Sequence, residues 1–141
     1  MANTMHLDIV SAEEALFGDE VEFVVARATE GELGIMPRHA PLMARLQPGE
    51  VRVRMAGGEE QFFYVSGGML EVQPHVVTIL ADTAVRAHDI DEAAAKEAQR
   101  RAEEALRDRE SDVDYARAQT ELAAAAAQLR ALQNLRKRGN R

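Results

Sequence analysis

The chain contains no cysteine and no tryptophan. Without thiols there is no disulfide framework, no thiolate zinc site and no thiol nucleophile. No apolar run approaches the roughly 18 residues that a membrane-spanning helix needs. The opening MANTMHLDIVSAEEALF lacks the basic-then-apolar order of a secretory signal. Cations are in the minority, 17 Lys and Arg against 24 Asp and Glu, for a formal net charge of -7. That balance argues against nucleic acid as a partner, because phosphate recognition needs clustered cations. The few aromatics are not interleaved with basic residues, which removes support for single-strand binding. What is present is globular: 141 residues, 46% hydrophobic and 29% charged, enough for one domain or two small ones.

Catalytic constellations are missing as well. His6, His39, His75 and His88 form no pair at helical spacing and no HExxH motif. Ser11, Ser66 and Ser111 sit in no GxSxG elbow. Gly67-Gly68 lacks the rest of a phosphate loop. Glu13-Glu14 and Glu59-Glu60 are adjacent, so along a strand they point to opposite faces and read as solvated turn charges.

The totals hide a division near residue 88. Residues 1–87 carry 6 Arg, no Lys and 13 acids, net -7; residues 88–141 carry 11 bases and 11 acids, net 0. All four prolines (37, 41, 48 and 74) and eight of nine glycines precede residue 88. Two segments so different are expected to fold by different rules, one over 1–87 and one over 88–141.

The first segment reads as strands. Met5, Leu7 and Ile9 alternate with polar residues, and so do Val51, Val53 and Met55; Val21, Phe23 and Val25 share the same spacing. Period 2 places each apolar set on one sheet face. Shorter runs follow at Phe62–Val65, Met69–Val72, Val76–Leu80 and Thr83–Val85. Gly57-Gly58 and Gly67-Gly68 between such runs read as hairpin turns. Many short strands with no long helix between them predict an antiparallel β-sandwich or barrel and argue against a parallel βαβ sheet.

The second segment reads as two helices. Asp89 to Arg109 has neither Gly nor Pro and is rich in Ala, Glu, Lys, Arg and Gln. Ser111, with Asp114 three residues on, fits a helix start. The second helix is expected from about Val113 to about Lys137. Tyr115, Ala118, Leu122, Ala125, Leu129 and Leu132 make a 3-4 seam, faced by Ile90, Ala94, Ala98, Ala102 and Leu106 on the first helix. The pair is an antiparallel hairpin, and the fold is α+β. The seam is Ala-rich and buries little area. It fits a small appendage and equally an element that detaches and re-docks. Residues 88–114 hold five bases and ten acids, whereas 115–141 hold six bases and one acid. The late cations suit the negative end of the helix dipole, or they form a tip (Arg130, Arg136, Lys137 and Arg138) for an acidic protein surface.

One stretch is more specific. Glu30-Gly31-Glu32-Leu33-Gly34-Ile35-Met36-Pro37-Arg38-His39-Ala40-Pro41-Leu42 resembles the EGELGI-x-P-x-HAPL block of the epsilon subunits of bacterial F-type ATP synthases. Similar blocks run through His6–Glu13, Tyr64–Val72, Val77–Ala84, Asp112–Ala116 and Ala127–Arg130, in order and over nearly the whole chain.

The resemblance implies a non-catalytic rotor subunit in the central stalk, with no cofactor and no metal. Its partners would be the gamma subunit and the c-ring, with the alpha and beta subunits reached when the hairpin extends and blocks ATP hydrolysis. It would sit peripherally on the cytoplasmic face of the plasma membrane. Glu32 would lie in the loop that approaches the c-ring, His39 near gamma, and Arg130, Arg136, Lys137 and Arg138 against acidic segments of the catalytic ring. Some relatives bind ATP through a pattern like I/L-D-x-x-R-A. Here Ile90-Asp91-Glu92-Ala93-Ala94-Ala95 puts Ala94 where the arginine belongs. Without that guanidinium, a weak nucleotide contact at Asp91 is all the pattern leaves. A nucleotide-sensing module and a free-standing scaffold protein are the two other classes, and co-purification with gamma separates the rotor from the scaffold.

Overall fold

The computed structural model describes residues 3–107 and 112–139. These form strands β1 (Met5–Ser11), β2 (Ala15–Ala28), β3 (Gly31–Ile35), β4 (Leu42–Leu46), β5 (Gly49–Met55), β6 (Glu60–Val65), β7 (Gly68–Val72), β8 (Val76–Ala81) and β9 (Ala84–Arg86). A single 3-10 turn at Ala87–Asp89 leads into helices α1 (Glu92–Arg107) and α2 (Asp112–Gly139).

The strands run in the order β1-β8-β7-β4-β2-β5-β6-β9, with β3 also on β2 and β1 also on β2. The long β2 belongs to both layers: its first half pairs with β1, its second with β3 and β5. The two layers close over Leu7, Ile9, Val21, Val24, Ile35, Val51, Val53, Phe63, Leu70, Val77 and Ile79, all fully buried. Phe17 meets Phe63 edge-on, ring centroids 5.3 Å apart. The expected β-sandwich with a helical hairpin is what forms.

Four details differ from the sequence expectation. First, β1 and β8 pair in parallel, with Leu7 opposite Val77. Both are central, so the pairing closes one layer without a crossover helix. Second, the register of β2 on β5 shifts between Val21 and Phe23. The extra residue reverses the alternation, so Val24 and Ala26 point into the core and Phe23 does not. Phe23 instead lies outside the core, with Arg54 over its ring at 5.6 Å.

Third, Gly57-Gly58 does turn the β5–β6 hairpin, but Gly67-Gly68 joins two strands that do not pair. Gly68 lies opposite both Ala81 and Leu46 at φ 137, where a Cβ would stand 2.0 Å from the Leu80 carbonyl oxygen. Glycine is there for close backbone approach between strands. Fourth, the buried stripe of α1 is Ala95 and Ala102, with Gln99 and Leu106 half-buried; Ala94 and Ala98 are exposed and Ile90 precedes the helix. A run of strict four-residue steps drifts around a 3.6-residue helix, so only Ala102 and Leu106 of the expected stripe reach the seam.

On α2, Ala118, Ala125 and Leu132 of the expected seam are buried, and Tyr115, Leu122 and Leu129 half-buried. Ala127 and Ala131 are buried as well. They belong to a second face, because α2 also packs on β5, β6 and the 3-10 turn. Ser111 and the side chains of Asp114 and Arg138 lie outside the described residues.

Candidate docking surfaces

On β6, Phe63 and Val65 enter the sandwich core, so Phe62 and Tyr64 face the other way. They are nonetheless buried, because α2 lies over that face. Full burial of one such ring contributes about 1.5–3 kcal/mol. The sheet's aromatics therefore hold the hairpin down more than the alanines of α2 do. The Tyr64 hydroxyl meets no hydrogen-bond partner there, and burial pushes its pKa up.

Beside this contact, β2, β3 and β5 form a groove with α2. Val25, Arg27, Glu32, Glu50, Arg52, Ala127, Arg130 and Asn134 line a space of about 220 Å³. Across the strands, Glu32 stands opposite Arg27. From α2, Asn134 Nδ2 donates to Glu50 Oε2 at 2.6 Å, a direct bond from hairpin to sandwich.

Two residues further on, the Arg136 guanidinium takes both carboxylate oxygens of Glu92 at the start of α1, with Nη1 donating to Oε1 at 3.1 Å. Lys96 adds a contact at 3.3 Å. Arg136, then Lys96, hold the Glu92 carboxyl at about 2, against an ordinary 4.5. The sign follows from that depression. The charged form is favoured in the folded hairpin, so the contribution is complete above about 4.5 and is lost as pH falls toward 2. Resistance of α2 to limited proteolysis is accordingly expected to stay level from about pH 8 to 5 and to decline only in acid. Loss of protection already between pH 8 and 6 would contradict this assignment.

The opposite side of the sandwich has no such cover. Along β4, β7, β8 and β1 the outward residues include Met43, Met69, Leu80 and Val10, and the register sets Met69 opposite Leu80 and Leu80 opposite Val10. Met43 is 67% exposed and Leu80 51%; Val76 and, in the adjoining loop, Met36 are exposed too. The same face also carries Arg45, Glu71, Thr78 and Asp8, so its apolar part is the row Met69-Leu80-Val10 across β7, β8 and β1, set among polar residues; an exposed apolar row rimmed by polar residues suits a partner surface.

The structure separates the expected site residues. Glu32 is on β3, just after the β2–β3 turn, rather than in a loop, because residues 31–35 pair with β2; it faces the α2 groove. His39 is in the true loop, 36–41, where its Nδ1 lies 2.7 Å from the Ala40 carbonyl and the Arg38 N–H donates to the Pro74 carbonyl. That puts it at the edge of the bare face. Arg130 lines the groove, Arg136 is paired with Glu92, and Lys137 is exposed. Asp91 Oδ1 accepts the Ala94 N–H at 3.1 Å, which makes it the N-cap of α1. The bare face and the Asn134–Glu50 bond were not anticipated. The first had a signal: Val76 and Leu80 are apolar on the face opposite to that of Val77 and Ile79, with Thr78 between them, so β8 carries apolar residues on both faces.

Among the described residues no group of three or more His, Asp or Glu is placed to hold a metal. A β-sandwich with a helical hairpin folded on one face and apolar side chains bare on the other is a protein of surfaces. The chain belongs to the ATP synthase delta/epsilon family. It matches that family's beta-sandwich domain over residues 4–87 and its long alpha-helix domain over residues 88–133.

Its relatives are epsilon chains. The ATP synthase epsilon chain of Nitrosococcus oceani is 66% identical over 138 residues, 98% of this chain and 99% of that one. That of Alkalilimnicola ehrlichii is 61% identical over 139 residues, 99% of each. A chain from the OSCP/F1/c-ring structure of the Euglena gracilis mitochondrial ATP synthase aligns with a TM-score of 0.84 at 23% identity, covering 92% of this chain and 82% of that one. A chain from the central stalk/c-ring structure of the Tetrahymena thermophila enzyme gives 0.65 at 14%, covering 91% and 96%. At such identities the two structures speak to the fold alone. The sequence resemblance to an ATP synthase epsilon subunit is borne out.

Proposed function

We propose that this chain is a non-catalytic rotor subunit in the central stalk of a proton-translocating ATP synthase. It couples the c-ring and the gamma subunit to the catalytic ring, and its hairpin restrains ATP hydrolysis. Family membership and the epsilon-chain relatives support the assembly. The observation that carries the reading is the unequal cover of the sandwich: among the described residues one face lies beneath α2, while the other leaves an apolar row exposed among polar residues.

In this reading residues 1–87 dock and residues 88–141 regulate. The bare face with Met43, Met69 and Leu80 meets gamma, with His39 at its edge. Glu32, at the end of the β2–β3 hairpin, reaches the c-ring. The hairpin lies down in the active complex. Extended, it presents Arg130, Arg136, Lys137 and Arg138 to acidic segments of the alpha and beta subunits. The chain is held peripherally at the cytoplasmic face of the membrane through the complex. The Ala-rich seam keeps the two positions within a few kcal/mol, as a switch requires.

Truncation after residue 87 tests the regulatory half. The complex carrying residues 1–87 is expected to hydrolyse ATP faster than wild type and to retain synthesis. An unchanged hydrolysis rate would remove the inhibitory role.

A further inference from the structure

Two polar contacts tie the C-terminal part of α2 to its surroundings. Asn134 binds β5 through Glu50, and Arg136 binds α1 through Glu92. Among the described residues the remaining ion pairs of the hairpin run within α1: Arg100 with Glu97 and Glu104, Arg101 with Glu97, and Lys96 with Glu92. Across a seam of Ala and Leu side chains, Arg136 and Glu92 thus form a bidentate pair between the two helices. The two terminal nitrogens of Arg136, Nη1 and Nη2, both donate to the one Glu92 carboxylate. A planar fork of this kind takes an Asp or Glu of a partner in the same geometry.

We infer that Glu92 is an intramolecular stand-in for the acidic partner group: it occupies Arg136 while the hairpin is folded and surrenders it when α2 leaves α1. This rests on the inhibitory hairpin described above and adds its control. Extension carries α2, and Arg136 with it, away from Glu92 on α1, so Arg136 meets a carboxylate of the catalytic ring only after it has left Glu92. The strength of one pair therefore sets how often the other forms, and Glu92 opposes inhibition although it touches no partner.

The two members of the pair then behave differently when removed singly. Glu92→Gln frees Arg136 and keeps it available. Arg136→Gln opens the clasp equally but removes the group the partner takes. An exposed pair of this kind shifts the extended-to-folded ratio by about two- to five-fold. In the full-length isolated chain, both variants are expected to speed proteolysis of α2 by about that factor. In the assembled complex, Glu92→Gln is expected to lower ATP hydrolysis below wild type and Arg136→Gln to raise it. The double charge swap, Glu92→Arg with Arg136→Glu, re-forms the clasp, so it restores the wild-type proteolysis rate but not the inhibition.

Hydrolysis moving in the same direction in both single variants would overturn the inference, as would unchanged proteolysis in Glu92→Gln. The 1–87 truncation separates this from the parent reading. If truncation raises hydrolysis while Glu92→Gln does not lower it, the stand-in role alone fails. If truncation has no effect, the inhibitory hairpin fails first.

Discussion

Replacing Gly68 by alanine is expected to cost about 2–6 kcal/mol of folding stability, the sum of a forbidden backbone conformation and an overpacked contact. At φ 137 an L side chain is strained even in open space. The space is not open: the new Cβ would stand 2.0 Å from the Leu80 carbonyl oxygen and 2.9 Å from the Ala81 Cα. These are backbone atoms of β8, so no rotamer relieves the clash. β7 would have to move away from β8, and Gly68 is also opposite Leu46 on β4. Against a total stability of about 5–15 kcal/mol the loss is large. Urea unfolding of the 1–141 chain measures it. Gly57→Ala is the control, with nothing within 4 Å of its Cβ and no left-handed φ; it is expected to change stability by no more than about 0.5 kcal/mol. A Gly68→Ala chain as stable as the control would sink the argument.

Gly68 also marks the limit of what sequence pattern conveys. Gly-Gly between two apolar runs looked like a hairpin, as it is at Gly57-Gly58. The same dipeptide at 67–68 serves a crossing between strands that never pair, which depends on β8, a dozen residues further on. The bulge in β2 has the same origin. Val21-Glu22-Phe23-Val24-Val25-Ala26 offers two phases to period 2, and only pairing with β5 selects the one that buries Val24. Strands 1 and 5 were legible because Met5, Leu7 and Ile9, and Val51 and Val53, alternate with mostly polar residues, Val10 being the exception, so local alternation suffices. The parallel contact of β1 with β8 joins residues some seventy positions apart, and no local signal carries that.

The hairpin was legible in kind and less so in phase. On α2 the 3-4 spacing locates Ala118, Ala125 and Leu132 correctly. On α1 alanine is frequent on every side, so composition cannot choose between Ala94 and Ala95. The decision comes from tertiary contact and favours Ala95. The basic tip was visible as a charge count, whereas its internal partner Glu92 lies 44 residues away.

Leu80→Glu is expected to leave the fold intact and weaken association with the gamma subunit by at least about 30-fold, the factor for losing one interface anchor of about 2 kcal/mol. Strands β6 and β8 share a sequence signature but not a cover. Phe62–Val65 in β6 is aromatic or apolar throughout and Val76–Leu80 in β8 is apolar except at Thr78, so period 2 puts apolar residues on both faces of each. In β6 both faces are covered, the inner by the sandwich core and the outer by α2. In β8 Val77 and Ile79 are buried, while Val76 and Leu80 stand 40% and 51% exposed. Leu80 stands opposite Met69 on one side and Val10 on the other, so a carboxylate there enters the middle of the apolar row. In the free chain that carboxylate remains hydrated, and stability should change by no more than about 0.5 kcal/mol. In a complex with gamma it must lose water without a partner, which costs about 1–3 kcal/mol or more. Thermal melting of the free chain and co-purification with gamma read the two effects separately. A Leu80→Glu chain that melts like wild type and still co-purifies in full would take the bare face out of the interface.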